Sequence, residues 1–303
     1  MKLAMLTSGG DAPGMNMALW ALCHEAEKRG WQPVGIEEGL QGLIDGRFRA
    51  LDSREVLRWS RRGGTELGSS RVADFPQYLE TVKQKLEKED IDALVILGGN
   101  GSARAAAALS GKVRTAFLPA TIDNDVIDSD SSIGFDTALN SAIRLADGIR
   151  DSADSIPRLF ALETLGGDTG FLAQAVAQAV GADVLLVPEH PLEVSEIIAQ
   201  TRKATDKNRY ALIVASEGYP RLTETIDELA KAMETRSRMS RIGHAQRGGV
   251  PSGFDRLLAR ALATGAVAGL AQGESGRSLW QGGKAVWLSF DSNDPKEFKL
   301  ELL

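Results

Sequence analysis

Cysteine is almost missing from this sequence: Cys23 stands alone among 303 residues. One thiol makes no intrachain disulfide and no thiolate metal cluster, so the expected compartment is a reducing one, the cytoplasm. Histidine is scarce too, at three residues, which leaves a zinc site short of ligands. Positive charge is not in excess. Thirty-five Lys and Arg stand against 41 Asp and Glu, a formal charge of −6, which supplies no field for nucleic acid or an anionic membrane surface. No stretch approaches the ~18 apolar residues of a membrane span, and the apolar run at 3–6 is too short for a signal peptide. The length suits about two domains of ~100–200 residues, with a core that needs no staple.

Glycine, by contrast, is abundant: 32 residues against ten prolines, with no low-complexity tract. The glycines cluster after short apolar runs at 3–6, 93–97, 116–118, 159–162, 184–187 and 212–214, each bounded by Gly, Pro, Asp or Ser. Uninterrupted runs of that length are how parallel strands covered on both faces read. Between them lie helical patterns at 17–28, 77–87, 135–149, 171–179, 226–233 and 256–271. The alternation predicts an α/β protein of two three-layer domains, with mostly parallel sheets and ligands at the carboxyl ends of the strands. Residues 1–135 together with about 256–303 form one expected domain, and 136–255 the other.

Four loops carry residues suited to chemistry. At 7–16, TSGGDAPGMN, the Gly9-Gly10 pair exposes backbone N–H groups ahead of a helix start, which suits phosphate. The same residues also read as an ordinary strand-to-helix turn, with Asp11 as cap and Pro13 in the first turn. At 98–102, GGNGS repeats the arrangement, and two glycine loops opening helices point to a shared polyphosphate, although Asn-Gly also makes a tight turn. At 119–125, PATIDND places Asp123 and Asp125 two residues apart at a strand end, a general base and a metal contact side by side, while Asp128 and Asp130 read as solvated loop charges. At 242–249, IGHAQRGG follows Arg236, Arg238 and Arg241, and arginine forks suit phosphate oxygens. A solvated basic helix end accounts for Arg236 and Arg241 but less well for His244 and Arg247.

The segments GGDAPGMN at 9–16, RGGTELGSSR at 62–71, ILGGNGS at 96–102, PATIDND at 119–125 and GHAQRGG at 243–249 together resemble the ATP-dependent 6-phosphofructokinase family of bacterial type. They stand in that family's order and spacing, from residue 1 to about residue 278. The resemblance implies a phosphofructokinase-like fold and phosphoryl transfer from ATP, with Mg2+, to the 1-hydroxyl of fructose 6-phosphate, the glycolytic reaction. It implies that Asp123 takes the hydroxyl proton, with Thr121 and Asp125 lining that centre. Arg158, Arg238, His244 and Arg247 match the phosphate-holding cations, Glu217 the carboxylate on the sugar hydroxyls, and Leu165 and Gly166 the Met-Gly beside the sugar. Gly10, Arg71, Val72, Gly99, Asn100, Gly101 and Ser102 match nucleotide contacts, with Asn100 and Asp125 at the metal. Arg158 and Arg238 match arginines that a neighbouring subunit supplies, which implies a homotetramer with shared sites. The first expected domain would hold the nucleotide and the second the sugar phosphate.

The departures from the family lie on the nucleotide side. Asn100 stands where the family has an Asp that supports magnesium, an ion that favours carboxylate oxygens. Gly167 replaces the arginine after Met-Gly, and Ala105 a glycine near the adenine. These changes imply impaired turnover and leave an alternative: a non-catalytic or weakly active sugar-phosphate-binding paralogue or regulatory subunit. Gly101 and Ala120 fall where pyrophosphate users carry Asp and Lys, so ATP is the expected donor. Trp20, His24 and Ser53 replace arginines of the bacterial effector site, and Asp206 and Asn208 replace lysines.

Overall fold

The computed structural model describes residues 1–156 and 158–290. In chain order its strands are β1 (Lys2–Thr7), β2 (Gln32–Ile36), β3 (Phe48–Ala50), β4 (Ala93–Gly98), β5 (Arg114–Pro119), β6 (Leu159–Thr164), β7 (Val184–Leu186), β8 (Ala211–Ser216), β9 (Ser237–Arg241), β10 (Gly276–Gln281) and β11 (Lys284–Leu288). Its helices are α1 (Met15–Lys28), α2 (Gly39–Asp45), α3 (Ser53–Leu57), α4 (Leu79–Lys88), α5 (Asn100–Leu109), α6 (Phe135–Ser155), α7 (Phe171–Val180), α8 (Val194–Asn208), α9 (Leu222–Ala232) and α10 (Gly253–Ala271). Among the described residues no helix is long and apolar enough to cross a membrane.

Two compact units divide the chain. The first takes Met1–Thr121, Asp125–Thr137 and the described chain from Arg247 onward; the second takes Ile122–Asn124 and Ala138–Gln246. The part of the expected first domain at 291–303 lies outside the described residues.

The first unit is built on a seven-stranded sheet of order β11-β10-β5-β4-β1-β2-β3. Its inner pairings, β2 to β1, β1 to β4, β4 to β5 and β5 to β10, are parallel, and the edge strands β3 and β11 run antiparallel. Leu3, Ala4, Met5 and Leu6 of β1 and Leu94, Val95, Ile96 and Leu97 of β4 are buried on both faces. On one face Leu6, Leu94 and Ile96 pack with Leu43 of α2, Leu86 of α4 and Leu109 of α5. The four strands of the second unit, in order β7-β8-β6-β9, are all parallel, and Ala161 and Ile213 share its core with Ile197 of α8 and Ile226 of α9. The mostly parallel α/β architecture is therefore the one expected.

Three local readings change. Arg236 and Arg241 do not flank a basic helix end; 237–241 is the edge strand β9, and Arg241 Nε donates to Glu163 Oε2 at 2.9 Å. Asp128 is not a solvated charge. It is buried and accepts from Arg277 Nη1 at 3.0 Å, while Asp130 accepts from the Gly282 N–H at 2.7 Å, so this loop is tied to the β10–β11 hairpin. Asp11 does not cap α1, whose cap residue is Gly14, with no side-chain cap bond.

A real side-chain cap reaches α6 from elsewhere in the first unit. Asp255, in the first turn of α10, is fully buried and accepts from the Gly134 N–H at 2.9 Å, the Thr137 N–H at 2.8 Å and Thr137 Oγ1 at 2.5 Å. These bonds meet N–H groups that the start of α6 leaves unpaired. Burial nonetheless pushes its carboxyl above the usual range, and the donors from Thr137 and Gly134 only partly offset that.

Candidate active site

Chain order fixes where a ligand crevice opens in the first unit. From β1 the chain runs to β2 on one side, whereas β4 pairs with β1 on the other, so the loops after β1 and β4 part at a topological switch point. Those loops stay in register: the Ser8 N–H donates to Leu97 O at 2.8 Å, and the Ala120 N–H after β5 donates to Gly98 O at 2.9 Å. Residues 69–70 lie along the first loop, with the Gly9 N–H on Ser70 O at 3.1 Å and Ser69 Oγ on Gly9 O at 2.7 Å. Arg71 follows them exposed, while Val72 packs partly into the apolar core.

Two glycines here are needed for close approach. A Cβ at Gly98 would collide with Ser8 O and Ser102 Oγ, and one at Gly10 would collide with the guanidinium of Arg247. Arg247 Nη1 also reaches Asp11 O at 3.4 Å. The structure thus lays Arg247 on the first glycine loop, in the first unit, whereas the sequence pattern grouped it with cations of the other unit. Gly99 faces Thr121, with 3.7 Å from a Cβ at 99 to Thr121 Cβ, and Ser102 is buried beneath the loop. Gly101 is open, its nearest neighbour being Arg104 Nη2 at 3.9 Å.

Asn100 opens α5 with its amide turned onto Asp125: Nδ2 donates to Oδ2 at 2.8 Å and to the backbone carbonyl at 3.2 Å. Among the described residues no group of three or more His, Cys, Asp or Glu is placed to hold a metal ion. One carboxylate beside a glycine-rich loop would suit an ion that arrives on phosphate oxygens rather than a resident one, since magnesium is commonly held by one or two carboxylates plus substrate phosphates.

In the second unit the loops after β6, β8 and β9 share one edge. Glu217 Oε1 accepts from the Gly166 N–H at 3.2 Å and the Gly167 N–H at 2.9 Å, which aims the carboxylate. Gly167 sits at φ +60°, the left-handed region that costs glycine least, and a Cβ there would stand 3.8 Å from Asp123 Oδ2. Asp123, Leu165, Gly166 and Glu217 are therefore brought to one edge. His244 lies exposed in the short turn Gly243–Gln246 after β9. Gln246, which the charge-centred sequence reading passed over, is fully buried and accepts from the Leu165 N–H at 2.7 Å. Its only signal was its place inside GHAQRGG.

Arg158 and Arg238 are not brought to this edge. Arg158 precedes β6, and Arg238 pairs with Phe160 near the same end of the sheet. Leu165 lies at the far end of β6 from Arg158, about 20 Å away at the ~3.3 Å rise of a strand residue.

A family model described as phosphofructokinase matches residues 2–270. An ATP-dependent 6-phosphofructokinase of Wolinella succinogenes is 37% identical over 311 residues, covering 100% of this chain and 98% of that protein. One of Staphylococcus epidermidis is 39% identical over 286 residues, covering 92% and 88%. Among solved structures, Pichia pastoris phosphofructokinase in the T-state aligns with a TM-score of 0.91 at 28% identity, over 95% of this chain and 34% of that longer one. A pyrophosphate-dependent phosphofructokinase from Marinobacter aquaeolei aligns at 0.81 with 20% identity, over 95% and 81%, a likeness of fold alone.

Proposed function

This chain belongs to the phosphofructokinase family, and from that membership we infer an enzyme that moves the terminal phosphoryl group of ATP to the 1-hydroxyl of fructose 6-phosphate. The observation that carries the reading is the edge on which Asp123 meets the Gly166-Gly167 turn and the Glu217 carboxylate. Asp123 accepts the hydroxyl proton as transfer proceeds, and Glu217, held by two backbone amides, fixes the sugar hydroxyls. An ordinary carboxylate suffices as base, because most of this catalysis is positioning and charge neutralisation.

The first unit takes the nucleotide and the second the sugar phosphate. N–H groups of the loops at 9–11 and 98–102 face the donor phosphates, with Thr121 and Ser102 at their border. Magnesium, brought by the nucleotide, would rest on Asp125 and neutralise developing charge. His244 and the remote arginines hold the 6-phosphate, the role for which the resemblance also matches Arg247. No sugar monophosphate spans the length of β6, which supports the reading, implied by the family resemblance, that Arg158 and Arg238 serve a neighbouring subunit's site in a homotetramer. The cytoplasm, a reducing compartment, suits the lone Cys23.

A coupled assay of ADP release tests the reading. ADP should appear only with fructose 6-phosphate present, and Asp123→Asn should slow turnover by about 10²-fold or more, the usual share of a positioned base. The direct Asn100–Asp125 bond favours one other reading, a sugar-phosphate-binding paralogue with little turnover. Calorimetric binding of fructose 6-phosphate without any ADP release would put that reading in its place.

A further inference from the structure

Asn100 does more at this edge than lack a charge. Its single NH2 group meets both the carboxylate and the backbone carbonyl of Asp125, at 2.8 Å and 3.2 Å, and so restrains side chain and main chain together. A carboxylate at position 100 would face two acceptors and needs a cation between them; an amide supplies the donor itself. Among the described residues no group of three or more His, Cys, Asp or Glu includes Asp125. We propose that Asn100 is a positioning residue that presets Asp125 by a direct hydrogen bond in the place of a shared ion, so that the free protein takes up no divalent cation and meets magnesium only as part of a nucleotide complex.

This rests on the reading that the donor is a nucleotide, but its first test does not. Manganese alone is titrated into the full protein and followed by electron paramagnetic resonance. Wild type should show no saturable site below about 1 mM, and Asn100→Asp should bind at least about tenfold tighter, because an added carboxylate raises affinity for a hard cation. Wild type binding manganese as tightly as Asn100→Asp overturns the proposal. The second test holds the magnesium–nucleotide complex constant and varies free magnesium: wild-type velocity should stay flat while that of Asn100→Asp rises. Asn100→Ala, which removes the donor without adding charge, should raise the KM for the nucleotide complex about three- to tenfold, a loss of the order of one ordinary hydrogen bond. Half-saturation by fructose 6-phosphate should not move. An Asn100→Ala enzyme with unchanged KM and kcat overturns the positioning role. Should no variant release ADP at all, the functional reading fails and the manganese titration alone decides this one; should Asn100→Asp not fold, the wild-type titration decides it.

Discussion

Arg247 needs space that only a glycine at position 10 leaves, since any Cβ there meets its guanidinium. The obstructing atoms belong to the far end of a flexible side chain, so Gly10→Ala should displace the arginine rather than unfold the loop. We expect melting within about a degree of wild type with kcat/KM reduced about tenfold, some 1.4 kcal/mol of transition-state stabilisation. Gly10→Ala combined with Arg247→Ala should be no worse than Arg247→Ala alone, and fully additive losses would show that the two do not act through one contact. Part of the candidate site was legible at the residue scale. The strings around Asp123 and His244 stood out in the sequence as a strand-end carboxylate pair and a glycine-flanked cationic turn, whereas Glu217 entered only through the family resemblance. Arg247 was legible as a phosphate-suited cation but not in its resting place on the first loop, which depends on a contact 236 residues apart in the chain. Gln246 escaped notice because a neutral side chain that binds a backbone amide leaves no charge pattern.

Strands buried on both faces announce themselves, and β1, β4, β5, β6 and β8 were all visible as apolar runs. The edge strand β7 was visible in the same way, but strands of mixed composition were not: β9 reads Ser-Arg-Met-Ser-Arg, with both arginines exposed, and β2, β3 and the β10–β11 hairpin mix polar with apolar residues. The start of α6 was placed by its helical pattern, but its cap was not, because Asp255 lies 118 residues beyond Thr137. Asp255→Ala should cost about 1–3 kcal/mol, the price of leaving buried donors unmet, read as a fall in the denaturation midpoint. The charge of Asp255 has a separate signature. Its folded carboxyl binds a proton more tightly than the unfolded one, so its contribution is full below the ordinary Asp range and declines as pH rises through the raised value. Asp255→Asn should lack that decline, which melting curves of both proteins across the acid range would reveal.

At the scale of the whole molecule, the three positions that the resemblance sets against effector-site arginines, Trp20, His24 and Ser53, carry no arginine and are engaged with their neighbours. Trp20 stacks on His24 at 5.3 Å and receives the Arg260 guanidinium at 5.3 Å, while the Ser53 N–H donates to Glu27 at 2.8 Å. Saturation curves for fructose 6-phosphate measured with and without ADP or phosphoenolpyruvate should therefore overlay, and a large shift in half-saturation would show that other cations have taken over. Arg238 and Glu217 lie at opposite ends of one small parallel sheet, and on the proposed sharing of sites that placement has a consequence for pairs of chains. If each subunit lends its arginines and keeps its carboxylate, then Arg238→Ala and Glu217→Ala injure different partners in the same site. Two inactive proteins, unfolded and refolded together, should complement each other: half of randomly formed pairs are mixed, one of their two sites carries both lesions and the other none, and about a quarter of wild-type activity returns.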